Sequence, residues 1–133
     1  MARHVMVLAA VVAVAAWGGR AAAWTPGAST NDGVYTAAQA AKGQELYGQA
    51  CETCHEPAKF TGAEFTRAFV GRSLSDIDRA MAEMPADNPG SLTIDDVASL
   101  IAYFLQMNKY PAGQTPLSGA PAALKSIMIS PRP

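Results

Sequence analysis

The sequence predicts an all-α domain of about four short helices, followed by an extended, proline-rich tail. Three observations carry this expectation. Val97, Leu100, Ile101, Phe104 and Leu105 recur at i, i+3, i+4, i+7 and i+8, the apolar stripe of an amphipathic helix. Four stretches begin with Thr or Ser and carry Gln, Glu or Asp three positions later, the spacing with which helix N-termini are capped (Thr36/Gln39, Thr61/Glu64, Ser73/Asp76, Thr93/Asp96). No two alternating segments flank a tight turn, so no hairpin is expected.

The 133 residues suffice for one domain. Arg3 and His4 precede a purely apolar run, Val5 to Trp17, broken by Gly18, Gly19 and Arg20 and followed by Ala21-Ala22-Ala23. This is the pattern of a secretory signal, and residues 1–23 are expected to be removed after Ala23. An uncleaved anchor is the alternative, but 13 apolar residues fall short of the roughly 20 a spanning helix needs. No cysteine follows the run, so no lipoprotein anchor is expected. Without Arg3 and Arg20, 8 of the 10 Lys+Arg face 11 Asp+Glu, a net charge of −3. A mildly acidic chain with no basic run is unsuited to nucleic acid or an anionic membrane surface.

Residues 24–35 (WTPGASTNDGVY) are rich in Pro, Gly, Ser and Asn and read as a flexible lead-in. Thr36 caps a first helix over about Ala37 to Ala50, which delivers the chain to Cys51. Gly43, Leu46, Tyr47 and Ala50 share one face of it. A glycine in mid-helix costs about 1 kcal/mol against alanine; a close crossing with another helix would justify it, and simple tolerance is the alternative. Thr61 opens a short second helix with Phe65 and Phe69 on one side, ended by Gly71. Ser73 opens a third, with Leu74, Ile77 and Met81 as its stripe, stopped by Pro85. Thr93 opens the fourth, with Asp95 and Asp96 in the first turn where the helix dipole favours them, and it should end near Asn108. Residues 36–109 form the domain. Residues 110–133 hold Pro111, Pro116, Pro121, Pro131 and Pro133 and read as an extended tail, pinned to the body by Leu124 and Ile127-Met128-Ile129.

The chemistry is concentrated in CETCH, Cys51 to His55, which holds both cysteines and the only histidine outside the first few residues. A disulfide within C-x-x-C closes a very small loop, stabilises little and gives His55 no role. Zinc needs about four ligands, and no second Cys/His pair exists. Covalent haem uses all three groups: two thiols three positions apart for the two vinyls of one porphyrin edge, and the adjacent imidazole as proximal iron ligand. Thiol–disulfide redox work is the main alternative to haem, although no strand–helix pattern of an α/β redox fold surrounds the motif.

A haem iron held by His55 has a second face. His4 would leave with the signal, so Met81, Met84, Met107 and Met128 are the remaining soft donors. Met81 lies on the apolar stripe of its helix and suits the core, Met107 ends the last helix, and Met128 sits between two isoleucines. Met84 precedes Pro85 at a helix end, before an irregular stretch from which a ligand can reach inward. It is the favoured distal ligand, with Met81 as the fallback and an open iron face as a further alternative.

Taken together, these residues resemble a small monohaem c-type cytochrome over roughly Ala37 to Asn108. The helix with Gly43 and Tyr47 leading into CETCH, the segment MPADNPGSL (Met84 to Leu92), and the helix DDVASLIAYFLQMN with Ala102-Tyr103 carry the resemblance. YPAG, Tyr110 to Gly113, is similar to the tail of periplasmic cytochromes that are partners or subunits of oxidoreductases such as quinoprotein dehydrogenases. The resemblance implies a cytochrome c fold around one covalently bound haem c, with the first and last helices crossing near Gly43. The sequence departs from the family after the motif: Glu56-Pro57-Ala58-Lys59-Phe60 replaces a glycine-rich loop, and no acceptor for the His55 Nδ1–H is assigned.

The expected function is one-electron transfer in the periplasm, not catalysis, with a dehydrogenase as donor and an oxidase or another cytochrome as acceptor. A fixed haem subunit of a dehydrogenase complex, with the Pro-rich tail docking on a larger protein, is the first alternative. An open-site haem enzyme or sensor is the second. Trp24, Arg67 and Arg72 are candidate partners for haem propionates, against an ordinary place on the surface.

Overall fold

The computed structural model describes residues 28–132. The expected signal and Trp24 lie outside these residues. Five helices form: α1 (Ala37–Ala50), α2 (Gly62–Phe69), α3 (Leu74–Met81), α4 (Ile94–Met107) and α5 (Pro121–Lys125). Two short 3-10 turns, Thr30–Asp32 and Pro57–Phe60, and two-residue strands β1 (Ala28–Ser29) and β2 (Ile127–Met128) complete them. The all-α class holds, with one helix more than expected.

The fold is organised on α4. Every residue from Ala98 to Leu105 is buried, well beyond a single stripe, because α4 is covered on several sides. The α1 helix crosses it with backbones in close approach. A Cβ added at Gly43 would collide with the Ser99 carbonyl and lie 3.0 Å from the Tyr103 Cβ. The mid-helix glycine is thus required by the crossing, since no larger residue lets the two helices approach this closely.

Capping decides where α1 and α4 begin. Thr93 Oγ1 accepts the Asp96 N–H at 3.2 Å while the Asp96 carboxylate accepts the Thr93 N–H at 3.1 Å, a reciprocal pair. At α1 only half of this forms. Thr36 Oγ1 accepts from Gln39 N–H at 3.2 Å, but the Gln39 amide turns away to the tail, donating to the Leu117 carbonyl at 2.8 Å and accepting its N–H at 2.9 Å. The expected box at Thr61 is absent: its hydroxyl donates back to Ala58 carbonyl at 3.0 Å, and α2 starts without a side-chain cap. Ser73 likewise spends its hydroxyl on Ser75 and Asp76 side chains.

From Ala28 onward the lead-in packs against the body of the domain. β1 pairs in parallel with β2, Ala28 with Ile127 and Ser29 with Met128. Thr30, Val34 and Tyr35 are buried. The Tyr35 hydroxyl donates to Tyr110 carbonyl at 2.8 Å, and the Gly113 N–H to Tyr35 carbonyl at 2.6 Å. Gly33 and Gly113 touch here; a Cβ at Gly113 would run into the Gly33 carbonyl. The tail is likewise more than extended chain. Leu117, Leu124, Ile127 and Ile129 are buried, and Ile129 exchanges backbone hydrogen bonds of 2.8 Å with Gly71 and Arg72. It straps the α2–α3 link to β1. A two-residue parallel pairing has too little periodicity to be seen in a sequence. Among the described residues no helix is long and apolar enough to cross a membrane.

Candidate haem site

The last turn of α1 runs directly into the pentapeptide. The Tyr47 carbonyl accepts the N–H groups of Cys51 and Glu52 at 2.9 and 3.0 Å, and the Cys51 carbonyl accepts those of Cys54 and His55 at 3.1 and 2.9 Å. Five residues are thereby wound into one compact turn. Tyr47 also reaches its far end, its hydroxyl donating to the His55 carbonyl at 2.5 Å. The Tyr47 ring is buried against Tyr103 and Phe104, at centroid distances of 5.5 and 5.9 Å. Burial, with a smaller push from the Cys51 sulfur, raises its phenol to about 12, so it remains a donor at neutral pH.

Both cysteines are free thiols, Cys51 half-buried and Cys54 exposed. Burial pushes the Cys51 thiol up from its ordinary value. That is the opposite of what activates a thiol for disulfide exchange, which needs ready thiolate. Among the described residues no three His, Cys, Asp or Glu side chains converge into a metal-binding group.

The pentapeptide forms one wall of a cavity of about 750 Å³, within the roughly 300–1,000 Å³ range of small-molecule and cofactor sites. Cys51, Cys54 and His55 line it together with Phe60. Phe65 and Phe69 come from α2, Ile77 and Met81 from α3, Leu100 and Phe104 from α4, and Met84 to Asn88 from the loop after α3. That loop is held by a succession of turns, Met84 N–H to Met81 carbonyl at 2.9 Å and Asn88 N–H to Pro85 carbonyl at 2.9 Å.

Cys51, Cys54, His55 and Met84, the residues expected to link the cofactor and ligate its metal, therefore line one cavity. Met107 and Met128 do not line it, and Met128 is 41 % exposed. Met81 does line it, alongside Met84, so it belongs to the cavity wall as well as to the α3 stripe. Neither Arg67 nor Arg72 lines the cavity; Arg67 is engaged with Glu64 at 2.8 Å on the surface. Two thiols, an imidazole and two thioethers lining one cavity with apolar and aromatic side chains suit a flat, apolar macrocycle with a metal at its centre. The residues fit haem.

Sequence reasoning missed three contributors: the Tyr47 hydroxyl, the Phe60 ring and Asn108, which is buried at the end of α4. Asn108 and the Phe60 ring act through contacts between segments far apart in the chain, and the Tyr47 hydroxyl reaches back across the turn to His55; neither spacing nor composition signals them.

The family model described as "Cytochrome C oxidase, cbb3-type, subunit III" matches residues 38–104, just over half of the chain, from α1 through the pentapeptide to α4. No curated protein and no solved structure matches the chain. With that match laid over the helix crossing, the CETCH turn and the cavity between them, the chain belongs to this family of c-type cytochrome domains, whose cofactor is haem and whose chemistry is electron transfer.

Proposed function

We propose that this protein is a periplasmic one-electron carrier with a single covalently attached haem c, His55 as proximal ligand and Met84 as distal ligand. Bound in the cavity, haem supplies a one-electron couple. Cys51 and Cys54 would hold it by adding S–H across the two vinyl groups, an addition that loses no atoms and consumes no oxidant. The CETCH turn presents both thiols and the imidazole to the same cavity. Met84 lines the same cavity from the loop after α3, and a thioether ligand favours reduced iron and a higher potential. Phe60, Phe65, Phe69, Phe104, Ile77 and Leu100 give the cavity an apolar lining. With both axial positions taken by protein groups, no vacancy is left for a substrate, which suits a carrier better than an enzyme.

The observation that carries the proposal is the convergence of Cys51, Cys54, His55 and Met84 on one cavity. Its test is the haem content of protein secreted with its leader. The haem should remain on the polypeptide after acid–acetone extraction, and should be lost on extraction from Cys51→Ala/Cys54→Ala. Rapid carbon monoxide binding to the reduced protein at neutral pH would contradict a six-coordinate carrier and favour the open-site enzyme or sensor.

Donor and acceptor are proposed to be redox proteins, a periplasmic dehydrogenase on one side and an oxidase or another cytochrome on the other. The acidic balance favours partners with a basic or apolar patch. A second reading, a fixed haem subunit of a larger complex, is favoured by the family's description as an oxidase subunit. It is weakened at the tail, whose apolar side chains Leu124, Ile127 and Ile129 are already buried in this domain. Gel filtration of native extract separates the two: a free carrier elutes near its own mass, a subunit with its complex.

A further inference from the structure

The link after the pentapeptide is short. Five positions beyond His55 the chain has already reached Phe60, at the end of the single 3-10 turn Pro57–Phe60. Asn108 holds this link. Its side chain is 6 % exposed and makes three hydrogen bonds. Nδ2 donates to the Phe60 carbonyl at 2.8 Å and the Phe104 carbonyl at 2.9 Å, and Oδ1 accepts the Gly62 N–H at 3.1 Å. Capping α4 needs only the bond to Phe104. The other two reach 48 and 46 positions back along the chain and grip residues 60 and 62.

What is gripped between them is an aromatic wall. The Phe60 ring stacks on Phe104 at 5.3 Å and 27°, and lies against the His55 imidazole at 5.7 Å and 62°. Tyr47 fixes the main chain of His55 but leaves the ring free to turn about its side-chain bonds. An imidazole joined to a metal through one nitrogen keeps that rotation, and outer contacts set the plane.

We infer that Asn108 is a positioning residue for His55, acting through Phe60: by pinning residues 60 and 62, at the far end of the link, to the end of α4, it sets the ring that fixes the plane of the imidazole. This rests on the haem reading above.

The test is the proton spectrum of the oxidised holoprotein, where the spread of the haem methyl resonances follows the orientation of the axial ligand planes. Phe60→Leu and Asn108→Ala should both shift the methyl pattern in the same sense. Phe65→Leu, which lines the same cavity but packs on Phe69 and Tyr110, should leave it near wild type. If Asn108→Ala does not fold, Asn108→Asp, which keeps an acceptor for the Gly62 N–H but loses the donor to the Phe60 carbonyl, takes its place, and a wild-type pattern there overturns the inference. A wild-type pattern in Phe60→Leu, or an equal shift in Phe65→Leu, overturns the inference while the haem reading stands. A colourless wild-type product overturns both.

Discussion

The Tyr47 hydroxyl donates to the His55 carbonyl at 2.5 Å, while the Tyr47 carbonyl accepts the N–H of Cys51. One residue of α1 thus grips both ends of the CETCH turn. Replacing only the hydroxyl, in Tyr47→Phe, should cost about 1 kcal/mol of holoprotein stability, the worth of one hydrogen bond. Tyr47→Ala also removes a buried ring and should cost about 3–5 kcal/mol. Denaturant unfolding measures both. A Tyr47→Phe protein as stable as wild type would show that the hydroxyl contact contributes nothing.

Two glycines of the same helix should respond oppositely to alanine. Gly43→Ala drives a methyl group into the Ser99 carbonyl, and a well-packed site answers overpacking with a loss of about 1–3 kcal/mol. Gly48 is exposed, with only the Glu52 carboxylate at 3.5 Å from an added Cβ. There the helix propensity of alanine acts alone, and Gly48→Ala should gain about 0.5–1 kcal/mol. Equal effects of the two substitutions would refute the close crossing of α1 and α4.

Acid should weaken the start of α4. The Thr93 hydroxyl and N–H both donate to the Asp96 carboxylate, at 2.7 and 3.1 Å, and hold its carboxyl below the usual carboxylate range; Lys42 at 3.6 Å adds less. The folded pKa lies below the unfolded value of about 3.9. The contribution of Asp96 is therefore present above about pH 4 and is lost as pH falls through the depressed folded value. Asp96→Asn should be less stable than wild type at pH 6, with the gap narrowing below about pH 4. Thr93→Ala, which removes the cap itself, should cost about 1 kcal/mol at neutral pH. A gap that is constant with pH would place the effect elsewhere.

The helices were legible in the sequence because their signals are local. The stripe from Val97 to Leu105 and the Thr93 cap mark α4, and Thr36 marks α1. Pro121, one of the prolines that suggest an extended tail, instead opens α5, since proline fits the first turn of a helix. The β1–β2 pairing joins residues about a hundred positions apart, and no local pattern encodes it. At the site, the soft donors stood out because Cys51, Cys54, His55 and Met84 have few other uses in so small a chain. Asn108 and Phe60 are ordinary residue types, and only the fold sets Asn108 behind Phe60 and Phe60 against both Phe104 and His55. Gln39 shows the converse: its spacing from Thr36 promised a reciprocal cap, and tertiary structure diverted its amide to Leu117.

Met81 and Met84 line the same cavity, so the identity of the distal ligand is the decisive question. The optical spectrum of the oxidised protein answers it through the weak red charge-transfer band that iron–thioether bonding produces. That band should be present in the wild type, absent in Met84→Ala and retained in Met81→Ala. Its survival in Met84→Ala, or its absence from the wild type, would contradict ligation of the haem iron by Met84.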